Sequence, residues 1–378
     1  MARAALLGFV LLVGTAATAA AAPRQPIFDE NELIDGSAVA LAPPAEPVAL
    51  PTPAEAFALD AEMQAFVEPI ADLRDPRQKL RALVAGMEDR GMFSLEYAEV
   101  TRTASATFHD RQGNCLSFTM LFVSLARAAG LRASYQRVQV PPTWTYDGTV
   151  VVANHVNTVV QTGGGEETIV DFNIRPYEGR NLSRRVDDDY ALGLFYTNLG
   201  AEAMLRQEYA AALVYLREAA AVDADSPGVW VNLGVLYARH GRYEHAESAY
   251  LRALESDDDE PSALANLVLV YQAIGEPQLA AEYRRRVQGY RERNPYYHFA
   301  SAALAFEQQR FSEAMTSLRR AVRLKPDEPE FYALRGQVQA ALGKQRDATQ
   351  SFERAREYED AEALRTNARV ALGGLALQ

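Results

Sequence analysis

The feature that most constrains this chain of 378 residues is a sequence repeat of 34 residues in its C-terminal half. Alignment at that period without a gap places a small residue in every copy, at Ala212, Ala246, Ala280, Ala314 and Ala348. Prolines begin four copies with the same step, at Pro227, Pro261, Pro295 and Pro329. Small residues at fixed positions let paired helices approach closely, and each copy buries its face on its neighbours. The repeat therefore predicts an all-α solenoid of five units over residues 193–362, followed by a capping helix over residues 363–378.

The second unit carries a more specific pattern, with Trp230, Leu233, Gly234 and Tyr237 followed by Ala246, Tyr250 and Ala253. This pattern resembles the tetratricopeptide repeat. The resemblance implies a protein-binding groove lined by the first helix of each unit. That groove would include Leu194, Thr197, Met204, Val231, Val235, Arg239, Leu269, Tyr296, Phe299 and Phe306.

Four of these groove residues, Arg239, Tyr296, Phe299 and Phe306, are the ones expected to contact a partner. The groove lacks a lysine-rich clamp for a free C-terminal carboxylate, so a hydrophobic peptide or partner surface is the expected ligand. The alternative is a groove that only packs against the N-terminal domain.

The only cysteine of the chain, Cys115, directly precedes an apolar helical segment, Leu116 to Ala129. Gly113-Asn114 supplies the break that starts this helix, which places Cys115 in its first turn. A thiol with a pKa of about 8.5 is mostly protonated at neutral pH, and the positive end of a helix dipole favours its anion. Taken alone, the helix leaves two interpretations open, a nucleophile and a buried structural cysteine.

The N-terminus has the features of a cleaved signal peptide over residues 1–22, with Arg3, an apolar stretch and a run of small residues. The protein is therefore expected to be periplasmic or secreted. A lone cysteine in an exported protein cannot form an intramolecular disulfide, which favours a reactive thiol. Residues 23–56 are rich in proline and alanine without a helical or strand period, and predict an extended or disordered linker.

The charge and the histidines exclude several kinds of partner and cofactor. The formal net charge of −12 disfavours binding to nucleic acid. No membrane span is predicted after the signal peptide. His240 and His245 lack acidic or cysteine neighbours at metal-ligand spacing, so neither a metal nor a cofactor is expected.

Strands are predicted after the cysteine helix, at residues 133–140, 149–162 and 167–172, with turns at Asp147-Gly148 and at the triple glycine centred on Gly164. Helical segments at 54–71 and 76–90 should pack around the cysteine helix. Helices followed by antiparallel strands predict an α+β domain over residues 57–185.

The last two predicted strands bring His155 and Asp171 together. In a hairpin centred on Gly164, paired residue numbers sum to 328, so Asp171 faces Asn157 and His155 faces Asn173. His155 and Asp171 then form a diagonal pair on one face, about 7 to 8 Å apart at the backbone. A slip of one residue would separate them. Together with Cys115 they supply a nucleophile, a base and an orienting carboxylate.

These residues resemble a known family. The run from Gly113 to Phe118, the helix end at Ala128-Ala129-Gly130-Leu131, and the segments around His155 and Asp171 are similar to the transglutaminase-like superfamily of papain-like folds. The resemblance implies a Cys-His-Asp triad that handles acyl groups from amides through a thioester. It also implies an oxyanion hole that includes the Cys115 amide. Gln112 is a candidate for a side-chain donor, and the alternative is an ordinary loop residue.

The sequence thus predicts an exported thiol enzyme, a peptidase, amidase or protein acyltransferase, whose repeats recruit a protein or peptide. The rival hypothesis is a non-enzymatic periplasmic scaffold in which the repeats alone carry the function. The sequence leaves open the substrate and whether water or an amine attacks the thioester.

Overall fold

The computed structural model describes residues 24–43, 47–89, 96–97, 100–139, 143–144, 150–151, 154–172, 183–365 and 369–371. It has a mixed α/β N-terminal domain followed by a run of paired helices, in agreement with the predicted architecture. The predicted signal peptide and the predicted turn at Asp147-Gly148 lie outside the described residues. None of the described helices is long and apolar enough to cross a membrane.

The helices of the N-terminal half surround the one that begins at Cys115. They are α1 (Glu30–Asp35), α2 (Pro53–Phe57), α3 (Ala61–Ala71), α4 (Pro76–Asp89), α5 (Ala104–Asp110) and α6 (Cys115–Ala128). Eleven of the fourteen residues of α6 are buried, because α2, α3, α4 and α5 all contact it. This confirms the prediction that the preceding helices pack around the cysteine helix.

The strands form one main sheet and two short ladders. They are β1 (Glu96–Tyr97), β2 (Gln112–Gly113), β3 (Arg132–Gln139), β4 (Thr143–Trp144), β5 (Val150–Val151), β6 (Asn154–Gly163), β7 (Glu166–Asp171), β8 (Ser183–Val186) and β9 (Arg369–Ala371). The main sheet has the order β8-β3-β6-β7-β9, with β6 at its centre. Helix α6 packs on β6 and β3. The central strand and the central helix therefore lie against each other.

The register of the β6–β7 hairpin agrees with the one predicted from the triple glycine. Thr158 pairs with Val170, and Val160 pairs with Thr168, so the paired numbers sum to 328. Gly163, Gly164 and Gly165 all have positive φ, a conformation that side chains with a Cβ disfavour, and they close the turn. The glycines thus fix which residues of the two strands face each other.

Five helix pairs form the repeats. They are α7 (Asp188–Leu205) with α8 (Tyr209–Val222), α9 (Pro227–Arg239) with α10 (Tyr243–Ser256), α11 (Pro261–Ala273) with α12 (Pro277–Arg293), α13 (Pro295–Glu307) with α14 (Phe311–Leu324), and α15 (Pro329–Ala341) with α16 (Gln345–Arg365). All five aligned alanines are buried. At Gly234, a Cβ would lie 2.4 Å from the Tyr250 ring, so only glycine fits there. Small residues therefore set the close approach within each pair, as the repeat pattern predicted.

Residues 24–43 and 47–52 form an ordered strap along the outer side of the first two repeats. Its helix α1 contacts α8 and α10, the second helices of those repeats. The Tyr237 hydroxyl donates to the Leu33 carbonyl over 2.7 Å, and the Arg217 guanidinium donates to the Ile34 carbonyl over 2.8 Å. Leu33 is fully buried in this contact. The described part of the linker is therefore fixed to the repeats.

For residues 23–56 the prediction was an extended or disordered linker, and the described part is ordered, with a short helix followed by extended chain. The strap has no period of its own because its order comes from side chains of the repeats rather than from regular structure. A local signal was nevertheless present. Asp29 and Glu32 form a reciprocal capping box at the start of α1, and Gly36 ends that helix in the left-handed conformation.

Among the described residues, the repeats contact the N-terminal domain both at the start of the array and farther along it. Arg127 at the end of α6 makes a bidentate ion pair with Asp188 at the start of α7, with distances of 2.6 and 2.8 Å. Farther along the array, β5 contacts α11 and β4 contacts α13. The short β4–β5 ladder, which immediately precedes the His155 strand, thus lies against first helices of the third and fourth repeats.

The structure contradicts the predicted capping helix over residues 363–378 at residues 369–371. The second helix of the fifth repeat, α16, continues to Arg365, and residues 369–371 form the strand β9. β9 pairs in parallel with β7, with Ala371 opposite Asp171. Arg369-Val370-Ala371 is too short to show a helical or strand period, so its pairing with β7 was not visible in the sequence.

Candidate active site

The nucleophile candidate Cys115 occupies the first position of α6. Asn114 caps this helix, since its side-chain oxygen accepts the Ser117 amide over 3.0 Å. Gly113 must be small because a Cβ there would lie 2.7 Å from the Ser117 Cβ. Cys115 is half-buried and forms no disulfide. Its thiol therefore lies in the first turn of a buried helix, at the positive end of the helix dipole.

The base candidate His155 and the carboxylate of Asp171 are in direct contact. The His155 Nε2 atom lies 2.8 Å from Asp171 Oδ1 and 2.9 Å from Oδ2. Both residues are buried, with 3% and 6% of their surfaces exposed. The predicted diagonal pair is thus confirmed as a buried hydrogen-bonded pair, and the hairpin register is its cause.

The pKa of His155 reflects opposing effects. Burial is the largest and lowers it, but hydrogen bonds with Asp171 and with Cys115 outweigh burial and raise the pKa to about 9. The imidazole is therefore positively charged at neutral pH. Because Nε2 is engaged by the carboxylate, the contact with the thiol falls to Nδ1. Cys115, His155 and Asp171 accordingly form one connected group.

Two further side chains, those of Asn157 and Thr119, hold this group together. The Asn157 side-chain amide donates to Asp171 Oδ2 over 3.1 Å, so the carboxylate accepts a bond from a second buried residue. The Thr119 hydroxyl lies 2.7 Å from the Cys115 carbonyl and 3.1 Å from the Val156 carbonyl. Thr119 thus connects the cysteine helix to the histidine strand. The predicted register placed Asn157 opposite Asp171, but neither supporting role was predicted.

A polar network also connects the cap of α6 to the first repeat. The Asn114 amide donates to the Thr101 hydroxyl over 2.7 Å. The backbone amide of Thr101 in turn donates to a carboxylate oxygen of Glu202, on α7, over 2.8 Å. On the other side, the Ser117 hydroxyl donates to Asn114 and accepts the amide of Arg102. The first repeat therefore helps to hold the loop that caps the cysteine helix.

Sequence reasoning missed Glu202. A glutamate on a repeat helix carries no local signal of such a contact, because its partner Thr101 lies about a hundred residues away in the chain. The donor candidate Gln112 lies in β2, and its side chain is half-buried. In the part of the chain that the structure describes, no group of three or more His, Cys, Asp or Glu residues could hold a metal ion.

The predicted groove residues differ in accessibility. Leu194, Thr197 and Met204 on α7 are buried, so this part of the groove offers no free surface. Its burial follows from the packing of α7 against α6, α8 and α9, as in the alternative of a packed groove. Farther along, Leu269 is 62% exposed. The accessible part of the groove thus begins at the second repeat.

The four predicted contact residues lie in that accessible part. The guanidinium of Arg239 is exposed and donates to the Met204 carbonyl over 3.2 Å. Tyr296 and Phe299 are half-buried and both pack on the ring of Phe331. Phe306 is half-buried against Phe311. Val231 and Val235 are half-buried as well.

Comparison with protein-family models finds a match in each half of the chain. A model described as the transglutaminase-like superfamily matches residues 64–164, a range that contains Cys115 and His155. Models described as tetratricopeptide repeats match residues 203–269 and 304–343.

Individual relatives match only parts of the chain. Subunit 3 of the anaphase-promoting complex from Schizosaccharomyces pombe is 22% identical over 45% of this chain and 26% of its own length. The type IV pilus assembly protein PilF from Pseudomonas aeruginosa is 30% identical over 33% of this chain and 50% of its own. The chain thus spans a half or less of these curated relatives. Among solved structures, MamA from Desulfovibrio magneticus is 19% identical, with a TM-score of 0.25, over 45% of this chain and 96% of its own.

Proposed function

Since the chain joins a transglutaminase-like domain to tetratricopeptide repeats, we propose that it is an exported thiol enzyme that acts on peptide or amide bonds through a thioester at Cys115. The observation that carries the proposal is the connected group of Cys115, His155 and Asp171, with the imidazole bonded to both carboxylate oxygens. A structural cysteine needs neither a charged histidine nor a buried carboxylate beside it.

The proposed chemistry follows from this arrangement. The thiolate attacks the carbonyl carbon of the amide, and the oxyanion is stabilised by the Cys115 backbone amide. The His155 imidazolium then gives its proton to the leaving amine as the C–N bond breaks, which leaves a thioester. In the second half, neutral His155 takes a proton from water or from an acceptor amine, which displaces the thiolate. Asp171 orients the imidazole and stabilises its charged form.

In this proposal the repeats recruit the protein or peptide substrate, or a partner. Tetratricopeptide arrays are a protein-binding class, and the accessible groove offers Arg239, Tyr296, Phe299 and Phe306. The β4–β5 ladder lies against α11 and α13, and the chain runs from it directly into the His155 strand. A ligand in the groove would therefore be close to the segment that leads to the base.

A covalent thioester is the sharpest test of the enzyme proposal. The wild-type protein, incubated with a panel of peptide amides and quenched with acid, should gain the mass of an acyl group on Cys115. Hydroxylamine should remove that mass, because it cleaves thioesters. The Cys115→Ser variant is the matched control for the loss of the adduct. Full complementation of a deletion strain by Cys115→Ala would contradict the proposal and favour a scaffold.

Export is a separate part of the proposal and needs its own test. It rests on the basic, apolar and small-residue regions within residues 1–22. Alkaline phosphatase fused after residue 56 should be active in cells, since that reporter folds only after export. The same fusion without residues 1–22 should be inactive, and equal activity of the two would contradict export.

A further inference from the structure

The strap shows what the outer face of the repeats can bind. Its helix α1 is capped by Asp29 and contains Glu30, Glu32 and Asp35, so the segment is acidic. Glu30 forms an ion pair with Arg252 on α10, and the Arg217 guanidinium on α8 caps the carbonyl end of α1. Arginines on second helices of the repeats thus hold a short acidic helix.

The second helices of the next two repeats continue this face and are basic. Helix α12 carries five arginines against two glutamates, and α14 carries three arginines against one glutamate. The chain as a whole has a formal charge of −12, so this concentration of positive charge runs against its composition. Both helices occupy the same position in their repeats as α8 and α10, which hold the strap.

The arginines of this face are exposed and largely unpaired. We define the basic face by Arg284 and Arg285 on α12 and by Arg319, Arg320 and Arg323 on α14, all exposed. Arg320 lies two repeat steps after Arg252, the residue that pairs with Glu30. Within the described ranges, none of these five arginines forms an ion pair, and Arg319 bonds only to Thr316 of its own helix.

The basic face is continuous with the bound strap. Arg24, at the described start of the strap, bonds to Glu247 on α10, which also accepts the hydroxyl of Tyr271. The Tyr271 ring packs on Tyr283 of α12, with centroids 5.3 Å apart. The described part of the strap therefore reaches the residues that border α12.

We propose that the basic face of α12 and α14 is a docking site for an acidic segment of a partner protein. Clustered like charges repel one another, and an acidic ligand relieves that repulsion. The strap indicates a polypeptide rather than a bilayer, because an acidic segment of the chain already binds α8 and α10, the corresponding helices of the two preceding repeats. The net negative charge of the chain also disfavours an anionic membrane. This site is distinct from the groove and independent of the chemistry at Cys115.

The probe for this test is a fluorescent peptide with the sequence of residues 27–42, an acidic segment that in the folded chain binds α8 and α10, the corresponding helices of the preceding repeats. Its binding to the full-length protein is followed by anisotropy. The triple variant Arg285→Glu, Arg319→Glu, Arg320→Glu should bind it at least tenfold more weakly. A peptide with Asp29, Glu30, Glu32 and Asp35 replaced by amides should also lose binding, and added salt should weaken the wild-type complex.

A matched variant controls for net charge. Arg77→Glu, Arg206→Glu, Arg354→Glu changes three exposed arginines elsewhere and should bind the peptide within twofold of wild type. Equal affinity of the two triple variants would overturn the proposal. Loss of peptide binding in Arg252→Glu alone would also overturn the proposal. It would mean that the peptide replaces the strap at α8 and α10 instead of binding the basic face.

Two other occupants would each overturn the proposal. If the basic face serves a membrane, vesicles with phosphatidylglycerol should sediment the wild-type protein, but not the triple variant, while the peptide fails to bind. If it serves a second copy of the chain, light scattering should find a dimer that the triple variant loses. Circular dichroism of each variant checks that the helices are retained.

Discussion

The two sides of the candidate site are held in different ways. On the histidine side, His155, Asp171 and Asn157 all belong to one hairpin, and its register brings them into hydrogen-bond contact with one another. On the cysteine side, the cap of α6 depends on Asn114, then Thr101, and finally Glu202 in the first repeat. The base is therefore a local construction of the N-terminal domain, whereas the position of the nucleophile depends partly on the repeats.

The two sides should also differ in the free energy that is lost when one of their contacts is removed. Removal of one partner from a buried ion pair costs about 3–5 kcal/mol. Loss of a helix cap costs about 1 kcal/mol. Asp171 is buried, whereas Glu202 is only half-buried. Water can therefore replace part of a hydrogen bond that is lost at Glu202. Substitutions on the histidine side should consequently change stability and the reactivity of Cys115 more than substitutions in the cap network.

The largest expected effect comes from His155→Ala. If the imidazolium stabilises the thiolate, the rate of alkylation of Cys115 by iodoacetamide at pH 6 should fall about 100-fold, within the range for a lost acid–base partner. The measurement is incorporation of label by mass spectrometry. Cys115→Ser reports the background, and His109→Ala, at an exposed histidine, controls for a general effect. Equal rates in wild type and His155→Ala would show that no ion pair exists.

Asp171→Asn should have the next largest effect. Asp171 orients the imidazole without exchanging a proton, so alkylation at pH 6 should fall roughly tenfold and remain measurable. Asn157→Leu removes one of the bonds to that carboxylate and should slow the reaction by less. A rate for Asn157→Leu below that of Asp171→Asn would mean that the amide, rather than the carboxylate, determines the orientation.

Stability should depend on pH through the histidine side. The pKa of His155 is raised to about 9 in the folded protein, against about 6.5 when unfolded. The stabilisation is therefore fully present below pH 6.5 and is lost as the pH rises through 9. At about 1.4 kcal/mol for each pH unit between the two pKa values, the total loss is on the order of 3.5 kcal/mol. The melting temperature should fall between pH 6.5 and 9 in wild type, and His155→Gln should remove most of that fall.

The contrast between the two sides also explains what the sequence could predict. The triple glycine fixed the turn of the hairpin, so the pairing of His155 with Asp171 could be counted along the chain. Gly113-Asn114 likewise marked the start of the cysteine helix. The contacts of Glu202 could not be found in this way, because they join residues that no turn or period relates.

The strap was missed for the same physical reason. Its order depends on Tyr237, Arg217 and Arg252, each far from it in sequence. Its own residues indicate only a short capped helix, Asp29 to Gly36, which would be marginal in isolation. Proline and alanine content describes the intrinsic preference of a segment, but it does not reveal a surface elsewhere in the chain that binds it.

The smallest expected effect, and the most informative for the comparison, is that of Glu202→Ala. Loss of the bond to the Thr101 amide should loosen the cap of α6 by about 1 kcal/mol and slow alkylation of Cys115 roughly fivefold. Glu202→Gln keeps an acceptor oxygen and should restore most of the rate. Glu208→Ala, on the same repeat but paired with Arg206, should have no effect.

Because the hairpin is untouched, the fall in melting temperature between pH 6.5 and 9 should be the same in Glu202→Ala as in wild type. A changed pH dependence would mean that the two sides are coupled more tightly than their separate hydrogen bonds indicate. An unchanged alkylation rate would mean that the N-terminal domain positions its nucleophile without the repeats.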